Sequence, residues 1–294
     1  MAVDHDRLFK EVLTTFFEEF IELFFPAVHD AVDFSNVQFL AEEVFSDVTQ
    51  GEKYKVDLLV KTRRKEEETV IIIHTESQSY PQPDFNERMF IYYGRLYEKY
   101  RCNILPIALF TYDLRREEPD HFSIQFPFHD VLRFQFLTVQ LKQQNWRHFI
   151  RSDNPLAAAF LSKMGYNEKE KIQVKKEFLR MMVRMNIDPA HFTLLTGFFE
   201  TYLTLTPSEE EQLREEVKTM EKQESDKVME LMVSYEKKGL EKGKEQGLEQ
   251  GRKQGKERTK TEIAAAMLKK DMDVETIAEV TGLTTDKVIQ LKQQ

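Results

Sequence analysis

The sequence has almost no cysteine and no long apolar run. Its single cysteine, Cys102, excludes an internal disulfide and a cysteine-rich zinc site, and it suits a reducing compartment. Three glutamates interrupt the most apolar early stretch, residues 16–25, so this stretch is not the apolar core of a signal peptide. No apolar run approaches the roughly 20 residues that a membrane span needs. We therefore expect a cytoplasmic protein that does not bind membranes.

Charged residues are plentiful but unevenly distributed. They make up 32% of the 294 residues, and the net charge is −9. Residues 1–150 carry a net charge of −8, whereas residues 237–260 carry a net charge of +5. The acidic body argues against a general nucleic-acid coat. The basic segment either binds an anionic partner or is a solvated helical face, and the sequence leaves both alternatives open.

Helix and strand patterns alternate over residues 1–150. Apolar residues at three- and four-residue steps predict a helix over 7–25, with Asp6 as its N-cap and Pro26 as its end. The order of elements predicts an α/β domain over residues 1–150. The remaining predictions are a strand hairpin over 54–61 and 69–79, a helix over 84–101, and strands over 104–111, 122–126 and 134–139.

From residue 151 onwards the pattern is helical. The spacing of apolar residues over 151–236 predicts four helices, over 155–164, 168–186, 189–204 and 208–233. Residues 237–260 place glycine at every fourth position, which lines one face of a helix where a second backbone can approach closely. This interpretation predicts a homo-oligomer formed through the tail. The alternative is a frayed linker, because each glycine costs a helix up to about 1 kcal/mol.

Residues 261–294 predict three small helices that resemble a helix-turn-helix (HTH). Asp273 is the expected N-cap of the second helix. Ala278, Gly282 and Val288 have the spacing that this motif uses for its inter-helix contact, its turn and its core anchor.

The last of these helices is poor in cations. It offers Lys287 and Lys292, with Asp286 opposing them. Because phosphate binding depends on cations, this pattern favours a dimerisation or packing element over a DNA reader.

The predicted hairpin contains a pair of acids. With its turn centred between Glu66 and Glu67, Asp57 stands opposite Glu76, and Gln78 follows on the same face. Like charges paired across strands repel each other unless a cation lies between them. Two carboxylates on rigid strands are ligands that Mg²⁺ prefers. A metal site and an ordinary solvated strand face therefore both fit this pattern.

The same residues carry a resemblance to a known family. Asp57 followed by Glu76-Ser77-Gln78, each after an apolar strand, resembles the D…E-x-K core of the PD-(D/E)XK nuclease superfamily, with Gln78 where lysine is usual. More specifically, the chain is similar to the Rpn family of recombination-promoting nucleases, which are also described as transposase-like. Further support comes from residues 6–11, 56–59 and 76–79, from Arg88-Met89 with Tyr92, and from the glycine repeat and the closing helices.

The resemblance implies a fold and an activity. The fold is α/β, with a restriction-endonuclease-like mixed sheet flanked by helices and an all-α C-terminal region. The activity is that of a Mg²⁺-dependent DNA endonuclease, a hydrolase of phosphodiester bonds in bacterial recombination or in mobile-element or phage biology. Asp57 and Glu76 would hold Mg²⁺, with Mn²⁺ or Ca²⁺ as alternatives, and Gln78 would lie near the attacking water.

Supporting roles follow from the same resemblance. Glu11 is the candidate for an additional acid from the first helix, and Arg88 either contacts a DNA phosphate or caps an acidic surface. Gln78 cannot supply the positive charge of the usual lysine, so Lys10 or Lys61 would have to supply it. The missing lysine and the acidic body leave one alternative function, a catalytically inactive DNA-binding or scaffold protein that retains the nuclease fold.

Overall fold

The computed structural model describes residues 5–40, 45–46, 53–54, 58–64, 67–76, 84–113, 117–185, 187–270 and 272–292. The chain divides into two compact units, Met1–Val228 and Met229–Gln294. The first unit holds the strands and the helices up to the start of a long helix. The second unit holds most of that helix and two short ones. The four domains that the sequence pattern predicts remain a prediction.

Helices and strands alternate in the first half of unit 1. In chain order they are α1 (His5–Thr15), α2 (Phe17–Phe24), α3 (Pro26–His29), β1 (Asp33–Phe39), β2 (Phe45–Ser46), β3 (Lys53–Tyr54), β4 (Leu58–Arg64), β5 (Glu67–Glu76), α4 (Phe85–Tyr100), β6 (Asn103–Phe110), β7 (His121–Phe126), β8 (His129–Gln135) and β9 (Leu137–Gln140). The mixed α/β character predicted for this region is confirmed.

Five of the described strands form one mixed sheet, in the order β1-β4-β5-β6-β9. β1, β4 and β5 pair in antiparallel fashion, whereas β5, β6 and β9 are parallel. The strands β2 and β3, and likewise β7 and β8, form separate two-stranded sheets. Since β5, β6 and β9 run in one direction, their carboxyl ends meet at a single edge of the sheet, which we call the carboxyl edge.

The sheet core is buried on both faces. The apolar run of β6 is fully buried at Ile107, Ala108 and Leu109, as its sequence predicts. The helix α4 covers one face: Tyr92 and Leu96 pack with Leu59 of β4, and Phe85 and Met89 pack with Ala108 and Phe110 of β6. This packing fixes the first turn of α4 beside the carboxyl edge.

The predicted helix over 7–25 is interrupted at Phe16. The backbone of Phe16 leaves helical geometry, with φ −117° and ψ 43°, and separates α1 from α2. Phe16 and Phe17 are adjacent in the chain and both buried, and the break allows both rings to enter the core. Asp6 lies in the first turn of α1 instead of capping it, because the helix already begins at His5.

Two other predicted elements are each divided in two. The predicted strand over 134–139 is β8 and β9, separated at the buried Phe136, whose backbone N–H donates to the carbonyl of Asp120 over 3.0 Å. The predicted helix over 208–233 ends at Lys218, where the hydroxyl of Thr219 donates to the carbonyl of Glu216 over 2.7 Å. These polar contacts end the elements although the apolar pattern continues.

The helices that follow the sheet are α5 (Pro155–Phe160), α6 (Lys171–Met185), α7 (Pro189–Tyr202), α8 (Pro207–Lys218), α9 (Lys222–Leu268), α10 (Val274–Thr281) and α11 (Thr285–Lys292). Pro155, Pro189 and Pro207 occupy the first turns of their helices, as predicted. The ring of Phe9 in α1 packs against Phe160 and Phe198 of α5 and α7. The first helix and the helical region therefore share a core within unit 1.

A glycine joins two 3₁₀ turns near the carboxyl edge. The turns are Leu141–Gln143 and Leu161–Lys163. The N–H of Gly165 donates to the carbonyl of Gln144 over 2.8 Å. A Cβ at position 165 would lie 2.5 Å from the carbonyl oxygen of Lys142, which is too close for any side chain. This position therefore requires glycine.

We predict that Gly165→Ala lowers the free energy of unfolding by about 1–3 kcal/mol, because a backbone segment must move. The matched variant is Gly197→Ala in α7, where a Cβ meets no atom within 4 Å. It should raise stability by up to about 1 kcal/mol through helix propensity. Urea denaturation followed by circular dichroism measures both. Equal effects of the two substitutions would contradict this account.

Candidate functional site

Of the three residues predicted for the metal site and its water, the structure describes Glu76. Asp57 and Gln78 lie outside the described residues. Glu76 is the last residue of β5 and is in register with Phe110, the last residue of β6. The backbone of Glu76 therefore stands at the carboxyl edge. In open α/β sheets, ligands bind at the carboxyl ends of parallel strands.

The register of the hairpin differs from the predicted one. The prediction pairs Ile73 with Val60, whereas the structure pairs Ile73 with Leu58. Arg64 and Glu67 form the last pair before the turn, so the predicted turn centre was one residue too late. The register pairs Arg63 with Glu68 and Arg64 with Glu67, so the ladder continues up to the turn. The face alternation survives because each partner moves by two residues.

The supporting candidates lie on three elements. Lys10 is half-buried and Glu11 is exposed on α1. Arg88 lies near the start of α4, with its guanidinium carbon 5.8 Å from the centroid of the Phe85 ring, and that ring lies 5.0 Å from the ring of Phe110. Arg88 is thus at the same end of the sheet as Glu76.

Lys61 occupies a different place. It is in register with Gln38 of β1 and lines a cleft of about 390 Å³ together with Ser35, Asn36 and Thr62. The cleft lies against β1 and β4, and β5 separates these strands from β6.

The carboxyl edge carries a charged cluster that the sequence pattern does not predict. Asp113 follows β6 by three residues, Lys142 follows β9 by two, and Lys163 ends the 3₁₀ turn after α5. The ammonium of Lys163 donates a hydrogen bond to Oδ1 of Asp113 over 3.2 Å. The Nζ atom of Lys142 lies 3.7 Å from the same oxygen. We call Lys142 and Lys163 the edge lysine pair.

The two lysine side chains are largely covered, and the side chain of Asp113 is not. The exposed fraction of the side chain is 10% for Lys163, 19% for Lys142 and 74% for Asp113. Burial lowers the pKa of the Lys163 ammonium, Asp113 raises it, and the neighbouring Lys142 lowers it. The local arrangement is therefore two cations that share one solvent-facing carboxylate.

Two tyrosine rings border the edge lysine pair. Lys142 Nζ lies 5.1 Å from the centroid of the Tyr166 ring, and Lys163 Nζ lies 5.0 Å from that of Tyr202. Burial raises the pKa of Tyr166 to about 12 and also raises the pKa of Tyr202. Both rings stay neutral at physiological pH and stabilise the cations through their faces.

Acidic residues lie nearby but do not form a metal cluster in the described chain. Glu117, Glu118 and Asp120 line an open cleft of about 510 Å³ that includes Gln140 at the end of β9. Within the ranges that the structure describes, no group of three or more His, Cys, Asp or Glu side chains could hold a metal ion. In the same ranges, no helix combines the length and the apolarity that crossing a membrane requires.

Unit 2 contains a second candidate site. Its core consists of Ala264 from the end of α9, Ile277 from α10, Val288 from α11 and Leu283 between them. The first of the three predicted small helices is therefore the end of α9. Gly282 makes the turn between α10 and α11 with φ +64°, a conformation that favours glycine.

The polar contacts of unit 2 agree with the predicted signals. The carboxylate of Asp273 accepts the backbone N–H of Thr276 over 2.9 Å, so it caps α10 as predicted, and these contacts lower its pKa. Lys287 pairs with Glu257 at 3.2 Å. Two short helices joined by a glycine turn and packed on a third helix define the HTH class of domains.

The family comparison agrees with this geometry. Residues 257–293 match the family model of the C-terminal HTH domain of the Rpn/YhgA-like nuclease family. The match supports membership of the chain in the Rpn family, as the sequence resemblance predicts. A search of curated proteins and a search of solved structures each found no match.

The match also bears on function at a general level. An HTH is a DNA-binding motif, so the match suggests DNA binding. That favours DNA binding over the dimerisation or packing role that the sparse lysines indicate. The family that the model describes is a nuclease family.

We predict that Ile277→Ala weakens the HTH by about 2–5 kcal/mol, because it leaves a cavity in a small core. Ile289→Ala is the matched control, since Ile289 is 42% exposed and Ile277 is 0% exposed. Its effect should stay within about 0.5 kcal/mol. Amide hydrogen exchange of α10 and α11 reports the difference. Similar loss of protection in both variants would show that the assigned core is wrong.

Proposed function

We propose that the protein is a Mg²⁺-dependent DNA endonuclease that hydrolyses phosphodiester bonds. The observation that carries this proposal is the match of residues 257–293 to the HTH domain of a nuclease family. The mixed sheet, with α4 on one face, supports a restriction-endonuclease-like fold for the first unit. We place the protein in the bacterial cytoplasm, in recombination or in mobile-element or phage biology.

The proposed metal ligands are Asp57 and Glu76. Their carboxylates are hard oxygen donors that fit Mg²⁺, and they fit Mn²⁺ or Ca²⁺ as well. The position of Glu76 at the carboxyl edge supports the assignment, because its backbone lies where parallel strands present ligand-binding residues. A bound Mg²⁺ would lower the pKa of water and stabilise negative charge on a phosphate oxygen.

The other residues of the proposed site act on water and phosphate. Gln78 orients the attacking water through its amide. Lys10 supplies positive charge from α1, and Glu11 supplies an additional carboxylate. Arg88 binds a phosphate of the DNA, a role that its place at the Glu76 end of the sheet supports. The HTH of unit 2 holds the DNA substrate.

We predict that Asp57→Ala and Glu76→Ala each reduce cleavage of supercoiled DNA at least about 100-fold, because they remove the electrostatic stabilisation of the reaction. Gln78→Ala should lose less, since an amide only orients water. Gln78→Lys should keep or raise activity, because it restores the usual positive charge. The assay is plasmid cleavage with and without Mg²⁺.

The matched control is Glu98→Ala, which removes an exposed carboxylate from the other end of α4. It should leave cleavage unchanged. Circular dichroism verifies that each variant is folded. Full activity in folded Asp57→Ala and Glu76→Ala would contradict the site. DNA binding without any cleavage by the wild type would establish the scaffold alternative.

We also propose that the protein self-associates through α9. All five glycines of the repeat lie within this helix, and a Cβ at Gly251 or Gly255 would meet no atom within 4 Å. Small residues along one stripe allow the backbones of two helices to approach closely.

Two changes test this proposal. Deletion of residues 237–294 should shift the protein towards monomer in sedimentation. Gly251→Gln with Gly255→Gln should do the same, because the added side chains separate the helices, whereas Arg252→Gln with Lys256→Gln should not. An oligomeric state that none of these changes affects would refute association through α9.

A further inference from the structure

The edge lysine pair brings two cations to one carboxylate. An ion pair inside a protein is most favourable when one cation meets one anion, because desolvation of each charge costs free energy. Here Lys142 approaches the carboxylate that Lys163 already contacts, and its positive charge lowers the pKa of Lys163. Lys142 belongs to residues 1–150, whose net charge is −8, and Lys163 joins it from the helical region, so the two cations meet in an acidic part of the chain.

The geometry leaves ammonium donors available to an anion. An ammonium group has three N–H donors. Within the described part of the chain, Lys163 donates to Oδ1 of Asp113, and the 3.7 Å between Lys142 and that oxygen exceeds a hydrogen bond. A tetrahedral phosphate has enough oxygens to accept from both lysines.

The location relates this cluster to the proposed cleavage site. Glu76 is in register with Phe110, and Phe110 is in register with Gln140, two residues before Lys142. The two strand spacings between Glu76 and Gln140 amount to about 10 Å. About three nucleotides of a DNA strand span that distance along the helix axis.

We propose that Lys142 and Lys163 form a phosphate-binding subsite for the DNA strand, and that Asp113 offsets one of their two positive charges until DNA binds. This inference rests on the proposed nuclease function. The ligand is a backbone phosphodiester, read as charge and without regard to base sequence. On binding, the phosphate takes the ammonium donors, and the exposed Asp113 turns towards solvent.

If the DNA phosphate and Asp113 compete for the lysine pair, substitutions of the lysine and of the aspartate should change DNA binding in opposite directions. The probe is a fluorescein-labelled octathymidylate, and its binding to the full-length protein is measured in EDTA, which prevents cleavage. Because the probe is single-stranded, it offers no duplex groove to the HTH. Lys142→Gln should weaken binding about tenfold, the loss of one charge-assisted hydrogen bond. It should also reduce the slope of log K against log salt by about 0.7.

Asp113→Asn should strengthen binding threefold or more, because the competing anion is removed. A purely structural role for Asp113 predicts no such gain. Lys163→Arg keeps the positive charge and should bind like the wild type, which covers the case that a neutral residue at this buried position prevents folding. Thermal unfolding of each variant confirms that binding is measured on folded protein.

Matched controls change the net charge elsewhere in unit 1. Lys218→Gln removes a cation from an exposed pair on α8, and Asp30→Asn removes an exposed anion after α3. The proposal is overturned if Lys142→Gln behaves like Lys218→Gln or if Asp113→Asn behaves like Asp30→Asn. A third outcome would also overturn the proposal. If millimolar inorganic phosphate displaces the oligonucleotide but the variants do not change oligonucleotide binding, the ligand of the lysine pair is free phosphate.

Failure of this inference differs from failure of the nuclease proposal. If Glu76→Ala abolishes cleavage and Lys142→Gln leaves oligonucleotide binding unchanged, the subsite is wrong and the nuclease proposal stands. If Glu76→Ala cleaves normally and the lysine and aspartate variants behave as expected, the edge lysine pair binds DNA in a protein whose catalytic residues lie elsewhere.

Discussion

The parallel pairing of β5, β6 and β9 is the interaction on which the candidate site depends. It brings the ends of three strands to one edge, where Glu76, Asp113 and Lys142 arrive from distant parts of the sequence. The pairing is held from both faces of the sheet, with Ile107 and Leu109 on one side and Ala108 beneath α4 on the other. A slip of one residue would exchange these faces, so the apolar core fixes the register, and the register fixes the edge.

Much of the fold could be predicted because its signals are local. The apolar run of β6, the prolines in the first turns of three helices and the cap of Asp273 each act within a few residues. The errors fall where a tertiary contact decides. The helix breaks at Phe16 so that two adjacent rings can be buried. The strand divides at Phe136, whose backbone N–H donates a hydrogen bond to the carbonyl of Asp120. No periodic pattern contains that information.

The candidate functional residues also separate into those that local sequence signals predict and those that only tertiary contacts bring together. The HTH could be recognised from the spacing of Ala278, Gly282 and Val288, since helix caps and turns depend on residues that are close in sequence. The edge lysine pair could not, because Lys163 and Asp113 are 50 residues apart and meet only through the packing of the helical region on the sheet. The turn centre was missed by one residue and the pairing therefore by two, because the ladder continues to Arg64 and Glu67, where the polar residues predict a turn.

The close approach at Gly165 has a thermodynamic consequence for the edge lysine pair. The segments that carry Lys142 and Lys163 touch through main-chain atoms, with the N–H of Gly165 bonded to the carbonyl of Gln144. The main-chain contact therefore fixes where the two lysine side chains begin, and Asp113 and the flanking tyrosine rings hold their ammonium groups. The cation pair is assembled during folding, so an anion that displaces Asp113 meets a preorganised receptor, and little further conformational entropy is lost on binding.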